Sequence, residues 1–357
     1  MSDSCQRILQ NALSDEPLSK TDALGVLSSD GVDLLILVAA AYQIRHKYFS
    51  KEVTVHILNN VQNGLCSEDC QYCAQSTSSS ARIEQYPMKS DAEIMAEAKA
   101  AWEQGAHRYC MVFSGAGPSD ERIDHLSQII REIKKNWPLE VCVSPGVITS
   151  DQAKKLKAAG LDRLNHNLNT SERHYKKICT THSYSDRLAT LRAAKSNDLA
   201  ICSGVIIGMG ETADDVFQMA LIHRDIQTDS IPVNFLIPIP GIALKTLNGL
   251  TPEYCLRVLC LFRLMNPRAE IRMAAGREIH LRALEPLGLY VANSLFLQGY
   301  LNARGSSNHH TLQMIKDLGF SIKSDVKIDE ILLRSDTHEE ADGLKSRDEL
   351  RPFLKET

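Results

Sequence analysis

The sequence predicts an α/β fold, a (β/α)8 barrel of the TIM type, on three observations. Eight short runs rich in β-branched residues alternate with segments that carry helix-capping signals, at intervals of roughly 25–50 residues. The chain has 357 residues, a length at which such a barrel commonly forms one domain. Its hydrophobic content of 43% and charged content of 24% are typical of a globular protein with a substantial core.

We expect three segments along the chain. Residues 1–50 have the pattern of two or three helices, broken at Gly31, and are predicted to form an N-terminal helical cap. Residues 51–320 are predicted to form the barrel. Residues 321–357 are dense in charge and poor in aromatic side chains, which predicts a mobile or loosely packed C-terminal tail.

The barrel elements are predicted in chain order. The first strand covers 53–58, where β-branched residues alternate, and it leads directly into a cysteine-rich loop. Capping residues mark the helix starts at Ser90 with Glu93, Ser119, Ser150 or Asp151, Thr212 with Asp215, and Thr251 before Pro252. The other predicted strands are 108–113, 140–144, 162–168, 199–208, 231–237, 270–275 and 289–296, and two further helices are predicted over 185–196 and 278–288.

The composition argues against several classes of partner. A net charge of −4 and a pI near 6.3 provide no general attraction to nucleic acid or anionic membranes. The longest apolar run, residues 34–42, is too short to cross a bilayer. The N-terminus is unlike a signal or transit peptide, and ten cysteines in such a chain indicate metal binding or redox chemistry rather than disulfides. We therefore expect a cytoplasmic protein without nucleic-acid or membrane partners.

The loop after the first strand carries the strongest functional signal. Cys66, Cys70 and Cys73 are separated by three and then two residues, so three soft thiolates can converge on one metal centre. No fourth cysteine lies nearby, whereas a structural zinc site normally has four protein ligands. The pattern favours an iron-sulfur cluster with one open iron. A zinc knuckle completed by a distant Cys or His, or three thiols that are merely close, are the alternatives.

Several predicted strands carry polar or ligating residues where a barrel normally has Val, Ile or Leu. These residues are Cys110, Cys142, Asn165, Asn167, Cys202, Asn234 and Arg272. One buried cysteine alone is most simply a packing residue, but three on separate strands of a closed barrel indicate a second buried metal site. The remaining cysteines are predicted on helices or in the N-terminal cap, without ligand-like spacing, and are interpreted as structural; they are Cys5, Cys179, Cys255 and Cys260.

Glycine-rich turns are predicted at the rim where this fold places its active sites. Gly204, Gly208 and Gly210 would let the backbone approach a flat ligand, although a tight turn explains them almost equally well. The segment 114–117 is a comparable loop after the second strand.

Six motifs together resemble the biotin synthase family of radical S-adenosylmethionine enzymes. They are GLCSEDCQYCAQS, RYCMVFSG, NHNLNTS, CSGVIIGMGET, IRMAAGRE and ANSLF, in this order and with compatible spacing. The resemblance extends from about residue 50 to about residue 320. Six motifs in register are far more specific than any one of them.

The resemblance implies a set of site residues. Cys66, Cys70 and Cys73 would hold a 4Fe-4S cluster, and Cys110, Cys142, Cys202 and Arg272 would surround a 2Fe-2S cluster. The implied contacts to S-adenosylmethionine are Tyr72, Ser114, Asn167, Asn169 and Ile206, and those to the substrate dethiobiotin are Asn165, Asn167, Asn234 and Ser294. Asn169 stands where some family members have an acidic residue. No catalytic side chain beyond the cofactor ligands is implied.

The implied reaction inserts sulfur from the interior cluster into dethiobiotin, after S-adenosylmethionine is cleaved to a 5'-deoxyadenosyl radical. The implied partners are an electron donor such as flavodoxin or ferredoxin and a second copy of the chain in a homodimer. Because arginine binds its proton strongly, we expect Arg272 to position the interior cluster and balance its charge more than ligate it.

Two other functions are compatible with parts of the pattern. A radical S-adenosylmethionine enzyme that performs a rearrangement or another C–H activation would share the loop, but it would not need the strand cysteines. A non-catalytic regulatory protein that binds zinc or a cluster is the alternative from a different class, and the colour of protein purified without oxygen would distinguish it.

Overall fold

A computed structural model describes residues 3–245, 249–334 and 343–353. Parallel strands form a closed barrel, because β1 pairs with β2 on one side and with β9 on the other. The strands are β1 Glu52–Asn60, β2 Arg108–Val112, β3 Glu140–Ser144, β4 Arg163–Asn165, β5 Ala200–Cys202, β6 Val205–Ile207, β7 Ser230–Phe235, β8 Glu270–Met273, β9 Ser294–Leu297 and β10 Ser321–Ile322. The predicted (β/α)8 fold is confirmed, with β5 and β6 sharing one barrel position.

Helices surround the barrel in the predicted alternation. They are α1 Asp3–Leu13, α2 Lys20–Leu27, α3 Leu34–Phe49, α4 Asp91–Glu103, α5 Asp120–Asn136, α6 Ser150–Ala158, α7 Glu172–Tyr175, α8 Tyr184–Lys195, α9 Ala213–Asp225, α10 Pro252–Met265, α11 Arg277–Leu281, α12 Glu285–Leu289, α13 Asn308–Asp317, α14 Ile328–Arg334 and α15 Arg347–Leu350. No described helix combines the length and hydrophobicity that a membrane span requires.

The capping signals locate most helix starts. Ser90 and Glu93 form a reciprocal capping box at α4, and Thr212 and Asp215 form one at α9. Thr251 caps α10, whose first residue is Pro252, as the sequence predicts. At α6 the cap is Thr149, one residue before the predicted start.

Several predicted elements are wrong in extent. The strand predicted over 199–208 is interrupted at Ser203 and Gly204, because Pro232 lies opposite Gly204 on β7 and has no backbone N–H to donate to the ladder. The helix predicted over 278–288 is two short helices joined by a 3-10 turn at Arg282–Leu284. The strand predicted over 289–296 begins only at Ser294, because Leu289 ends α12.

The two ends of the chain pack against the barrel. In the N-terminal segment, α3 packs on α10, and the buried Arg45 donates to the carbonyl oxygens of Leu289 at 3.1 Å and Glu52 at 2.9 Å. Near the C-terminus, β10 pairs with β1, and Arg351 forms an ion pair of 2.7 Å with Glu93 of α4. The predicted tail therefore has anchored parts among its described residues.

Candidate active site

A cavity of about 610 Å³ runs from the carboxyl ends of the strands into the barrel. Residues of both predicted cysteine sets line it, together with most of the predicted ligand contacts. The predicted site residues on its wall are Cys66, Cys70, Tyr72, Cys73, Cys110, Ser114, Cys142, Asn165, Asn167, Asn169, Ile206, Asn234 and Arg272. The fold therefore brings distant motifs to one concave site, at the position where barrels of this type carry function.

The cysteine loop is folded by its own backbone at the mouth of this cavity. The Cys66 amide donates to the Gln75 carbonyl at 3.3 Å, and the Cys73 amide donates to the Cys70 carbonyl at 3.1 Å. Leu65, directly before the first cysteine, has φ 53°, a left-handed conformation that turns the chain at the start of the loop. These bonds shape a short loop whose three cysteines all line the cavity.

Cys179 is the main residue whose position the sequence did not predict. It lies in a turn after α7 and not on a helix, and the Cys70 thiol donates to its sulfur at 3.7 Å. His182 lies 3.4 Å from the same sulfur, and Arg187 approaches Cys70 at 4.0 Å. No motif spacing joins residues 70 and 179, because only the folded barrel brings them together.

The other cysteines interpreted as structural differ from Cys179. Cys255 and Cys260 are fully buried in α10 among apolar side chains, which confirms their packing role. The side chain of Cys5 lies outside the described part of the chain.

The donor set of the loop fits a cationic iron centre. Burial raises the pKa of the Cys73 thiol to about 11, and the hydrogen bond with Cys179 together with burial raises the pKa of Cys70. Such thiols stay protonated at neutral pH unless a cation stabilises the thiolate. An iron cluster would supply that charge, and its thiolate ligands are of the type that the loop presents.

Inside the barrel, the three strand cysteines form a second group. Cys110 on β2 and Cys142 on β3 are direct cross-strand neighbours, and Cys202 on β5 completes the group. All three are buried, and Phe296 and Ala274 pack against them. The second group therefore combines soft ligands with a dry, apolar wall, which fits an iron-sulfur cluster.

Arg272 faces this group from β8. Its Nη1 donates to the Cys202 sulfur at 3.6 Å, and its Nε donates to Ser294 Oγ at 3.0 Å. Burial opposes its charge, but Cys202 and Glu270 raise the pKa of Arg272 above its ordinary value. The residue is a charged hydrogen-bond donor in this structure, as its chemistry predicts.

Asparagines connect the two cysteine groups. Asn165 Nδ2 donates to the Cys202 sulfur at 3.3 Å and to Asn167 Oδ1 at 3.2 Å, so both side chains lie on the same face, as predicted. Asn167 Oδ1 also accepts from the Gly204 amide at 2.8 Å. Asn169 has φ 68° and donates to the Tyr72 hydroxyl at 2.5 Å, which places the amide beside the loop.

The other predicted contacts differ in what they offer a ligand. Ser114 Oγ is shielded from solvent and has no hydrogen-bond partner among the described residues, so it is available to a bound molecule. Asn234 lines the cavity, but its amide is already bonded to Val205 and Ala275 of the backbone. Ser294 is fully buried beside Arg272 and is not among the described residues that line the cavity.

The glycine turn after β6 is better explained by packing than by ligand approach. Gly208 has φ 103°, and a Cβ there would lie 2.8 Å from the Leu250 side chain. The Glu211 carboxylate accepts from the Gly208 amide at 2.7 Å and from the Met209 amide at 2.8 Å, which stabilises the turn.

Known proteins match this chain in sequence and in fold. Residues 62–221 match the Radical SAM superfamily, and residues 232–321 match the Biotin and Thiamin Synthesis associated domain. The FeFe-hydrogenase maturase HydG from Carboxydothermus hydrogenoformans superposes with a TM-score of 0.77 at 18% identity, covering 92% of this chain and 81% of its own. Methylornithine synthase superposes with a TM-score of 0.74 at 19% identity, covering 90% of this chain and 98% of its own. Fold and site together define a radical S-adenosylmethionine enzyme.

Curated relatives identify the family within this class of enzymes. Biotin synthase of Magnetococcus marinus is 51% identical over 312 residues, which are 87% of this chain and 97% of the relative. Biotin synthase of Acaryochloris marina is 52% identical over 316 residues, which are 88% of this chain and 91% of the relative. The chain belongs to the biotin synthase family. It is an enzyme of radical sulfur insertion into dethiobiotin, and it uses a 4Fe-4S cluster, a 2Fe-2S cluster, S-adenosylmethionine and an electron donor.

Proposed function

We propose that biotin forms in the cavity between the two cysteine groups. In this assignment Cys66, Cys70 and Cys73 hold the 4Fe-4S cluster, and Cys110, Cys142 and Cys202 hold the 2Fe-2S cluster. The observation that supports it best is that residues of both groups border the same cavity. A substrate in that cavity can face a radical source at the mouth and a sulfur source in the interior.

Bound cofactors supply the carbon radical and the sulfur, chemistry that no side chain of this chain provides. The protein's own contribution is binding, orientation and exclusion of water. Phe296, Ala274 and Tyr300 form an apolar wall around the interior cysteines, which protects a reactive substrate carbon from solvent. No acid or base is assigned a catalytic role.

We assign the S-adenosylmethionine side of the cavity to five residues: Tyr72, Ser114, Asn167, Asn169 and Ile206. The Ser114 hydroxyl supports this, because it is shielded from solvent without a partner among the described residues and a ligand group would satisfy it. Tyr72 and Asn169 are joined by a hydrogen bond and therefore present one continuous polar edge.

Dethiobiotin is assigned to the deeper part of the cavity, against Asn165, Asn167 and the Asn234 face. Asn165 suits this role, since it reaches from the Cys202 sulfur to Asn167. Ser294 contributes through Arg272, because its Oγ accepts a hydrogen bond from Arg272 Nε at 3.0 Å. Arg272 in turn orients toward the interior group and balances the charge of its thiolates.

Four further assignments extend the proposal: the domain organisation, the oligomeric state, the electron donor and the compartment. Residues 51–320 form the catalytic unit, with residues 1–50 as its cap and 321–357 as its tail. The enzyme acts as a homodimer, and flavodoxin or ferredoxin delivers its electrons, as the family resemblance implies. It acts in the cytoplasm, where reducing conditions keep its cysteines available for iron.

An anaerobic assay tests the proposal. Reconstituted enzyme is incubated with dethiobiotin, S-adenosylmethionine and a reductant, and biotin and 5'-deoxyadenosine are measured. We expect both products from the unaltered chain. We expect Cys110→Ala to form 5'-deoxyadenosine without biotin, because only the interior group is damaged. Equal biotin yields from the two proteins would refute the interior assignment.

A further inference from the structure

A buried ionic network lies toward the amino ends of the strands, beside the interior cysteines. Glu270 of β8 is its centre, and we call the set of Glu270, His56, Arg108, Arg163 and Arg272 the basal network. The Glu270 carboxylate accepts from Arg272 at 2.5 Å, Arg163 at 3.1 Å and Arg108 at 3.2 Å. Its Oε1 lies 3.1 Å from His56 Nε2.

One carboxylate thus joins three guanidinium groups inside the protein. The exposed fraction is 7% for the Glu270 side chain and 2% for Arg272, so their contact is shielded from bulk water. Removing one partner of a buried pair leaves an uncompensated charge, which is costly. Glu270 is therefore the group that allows Arg272 to remain charged at this depth.

The Arg272 guanidinium donates to one sulfur and to three oxygen acceptors. Its Nη1 points to Cys202, whereas Nη2 donates to Glu270 and to Ser230 Oγ at 2.9 Å, and Nε donates to Ser294. The hydroxyls are neutral acceptors, so Glu270 provides the only carboxylate that the described residues offer this guanidinium. The position of Nη1 against the sulfur depends on that anchor.

A second cavity borders the basal network and offers space for an alternative position of the Arg272 guanidinium. It has a volume of about 510 Å³, and its lining includes Arg108, Arg163, Glu140 and Glu270. Without the Glu270 carboxylate, Arg272 would carry a buried charge with no carboxylate partner, and hydration in this cavity would favour its movement out of the barrel interior. Such a movement would take the positive charge away from Cys202.

We propose that Glu270 is a positioning residue that holds Arg272 against the interior cysteine group. This inference rests on the proposed assignment of Cys110, Cys142 and Cys202 to the 2Fe-2S cluster. Among the described residues, the Glu270 carboxylate accepts hydrogen bonds from arginine and serine side chains and from none of these sulfurs. It therefore acts on the site through Arg272.

Glu140 offers a matched control. It also binds Arg108, with an N–O distance of 2.8 Å to Nε, and it lines the same second cavity. Its partners are Arg108 and His107, whereas Arg272 binds Glu270. Removing Glu140 therefore disturbs the basal network without releasing Arg272.

A mutant cycle tests the proposal. The shift in the 2Fe-2S reduction potential caused by Arg272→Met is measured by anaerobic redox titration in the unaltered, Glu270→Ala and Glu140→Ala backgrounds. We expect the shift to fall to less than half in Glu270→Ala, because Arg272 has already left the sulfur, and to keep its full size in Glu140→Ala. A full shift in both backgrounds would overturn the proposal.

Two further measurements keep the result interpretable. Glu270→Gln preserves the volume of the side chain and serves as a substitute if Glu270→Ala does not fold. The same reduced shift in potential is expected in the Gln variant. A full shift there overturns the proposal. In the cluster-free protein, Glu270→Gln and Arg272→Met together should lower the melting temperature by less than the sum of their separate effects. Additive losses would show that the two side chains are not coupled.

Failure of the residue assignment gives a different outcome. If the unaltered chain binds no interior iron, the assignment of the three cysteines is wrong. The melting-temperature cycle still reports on Glu270 and Arg272 in that case, because it needs no cluster.

Discussion

Replacing Arg272 by Met should make the interior cluster harder to reduce. Methionine has a similar length but no donors, so the change removes one positive charge that lies 3.6 Å from the Cys202 sulfur. A reduced cluster carries one more negative charge than an oxidised one, and a neighbouring cation stabilises it. Loss of that cation lowers the reduction potential.

The size of the shift follows from the geometry. At an effective dielectric constant of about 20, a unit charge at about 4 Å contributes roughly 4 kcal/mol. The ion pair with Glu270 offsets part of this field, so we expect about 2 kcal/mol, or roughly 90 mV for a one-electron couple. Because three thiolates remain, Arg272→Ala and Arg272→Met should both retain most of the interior iron.

Anaerobic redox titration followed by absorption or electron paramagnetic resonance measures this shift. Arg163→Met is the control, since it removes the same charge from the same carboxylate, and Arg163 makes no hydrogen bond to an interior sulfur among the described residues. We expect a smaller shift there. An unchanged or higher potential in Arg272→Met would refute the electrostatic role, and complete loss of interior iron would show that the arginine is an obligatory ligand.

Four other predictions follow from the site and the core. Replacing Cys66, Cys70 or Cys73 by Ala should abolish 5'-deoxyadenosine formation, and undiminished formation in all three variants would contradict the loop assignment. Cys202→Ala should remove the interior cluster's spectrum and keep that of the loop cluster, whereas joint loss would indicate unfolding. Asn169→Ala should weaken S-adenosylmethionine binding by roughly 5-fold, the value of one hydrogen bond, while Asn169→Asp retains binding in equilibrium titrations. Burial lowers the pKa of His223 to about 3, below the unfolded value near 6.5, so stability should fall as the pH drops between these values. At pH 5 this loss is about 2 kcal/mol, and His223→Leu should abolish it in urea unfolding of the cluster-free protein.

Local sequence patterns predicted the parts of the fold that local physics controls. Ser90 with Glu93 and Thr212 with Asp215 are reciprocal caps, which act within one helical turn. The interruption at Gly204 was missed, because it depends on contact with Pro232 of a neighbouring strand. A strand pattern carries no information about such a contact.

The same distinction between local and long-range contacts applies to the residues of the candidate site. The loop cysteines are close in sequence, and strand alternation predicted that Asn165 and Asn167 share a face. Cys179 and Glu270 were missed, since their importance depends on neighbours 109 residues away at Cys70 and 162 residues away at Arg108. Only closure of the barrel creates these contacts.

The origin of the sulfur in biotin tests the central claim most directly. The interior cluster is rebuilt anaerobically with a heavy sulfur isotope while the loop cluster keeps natural sulfur, and the biotin from a single turnover is analysed by mass spectrometry. The two-cluster assignment predicts that the heavy isotope appears in biotin from the unaltered chain. Biotin that contains only natural sulfur would contradict it.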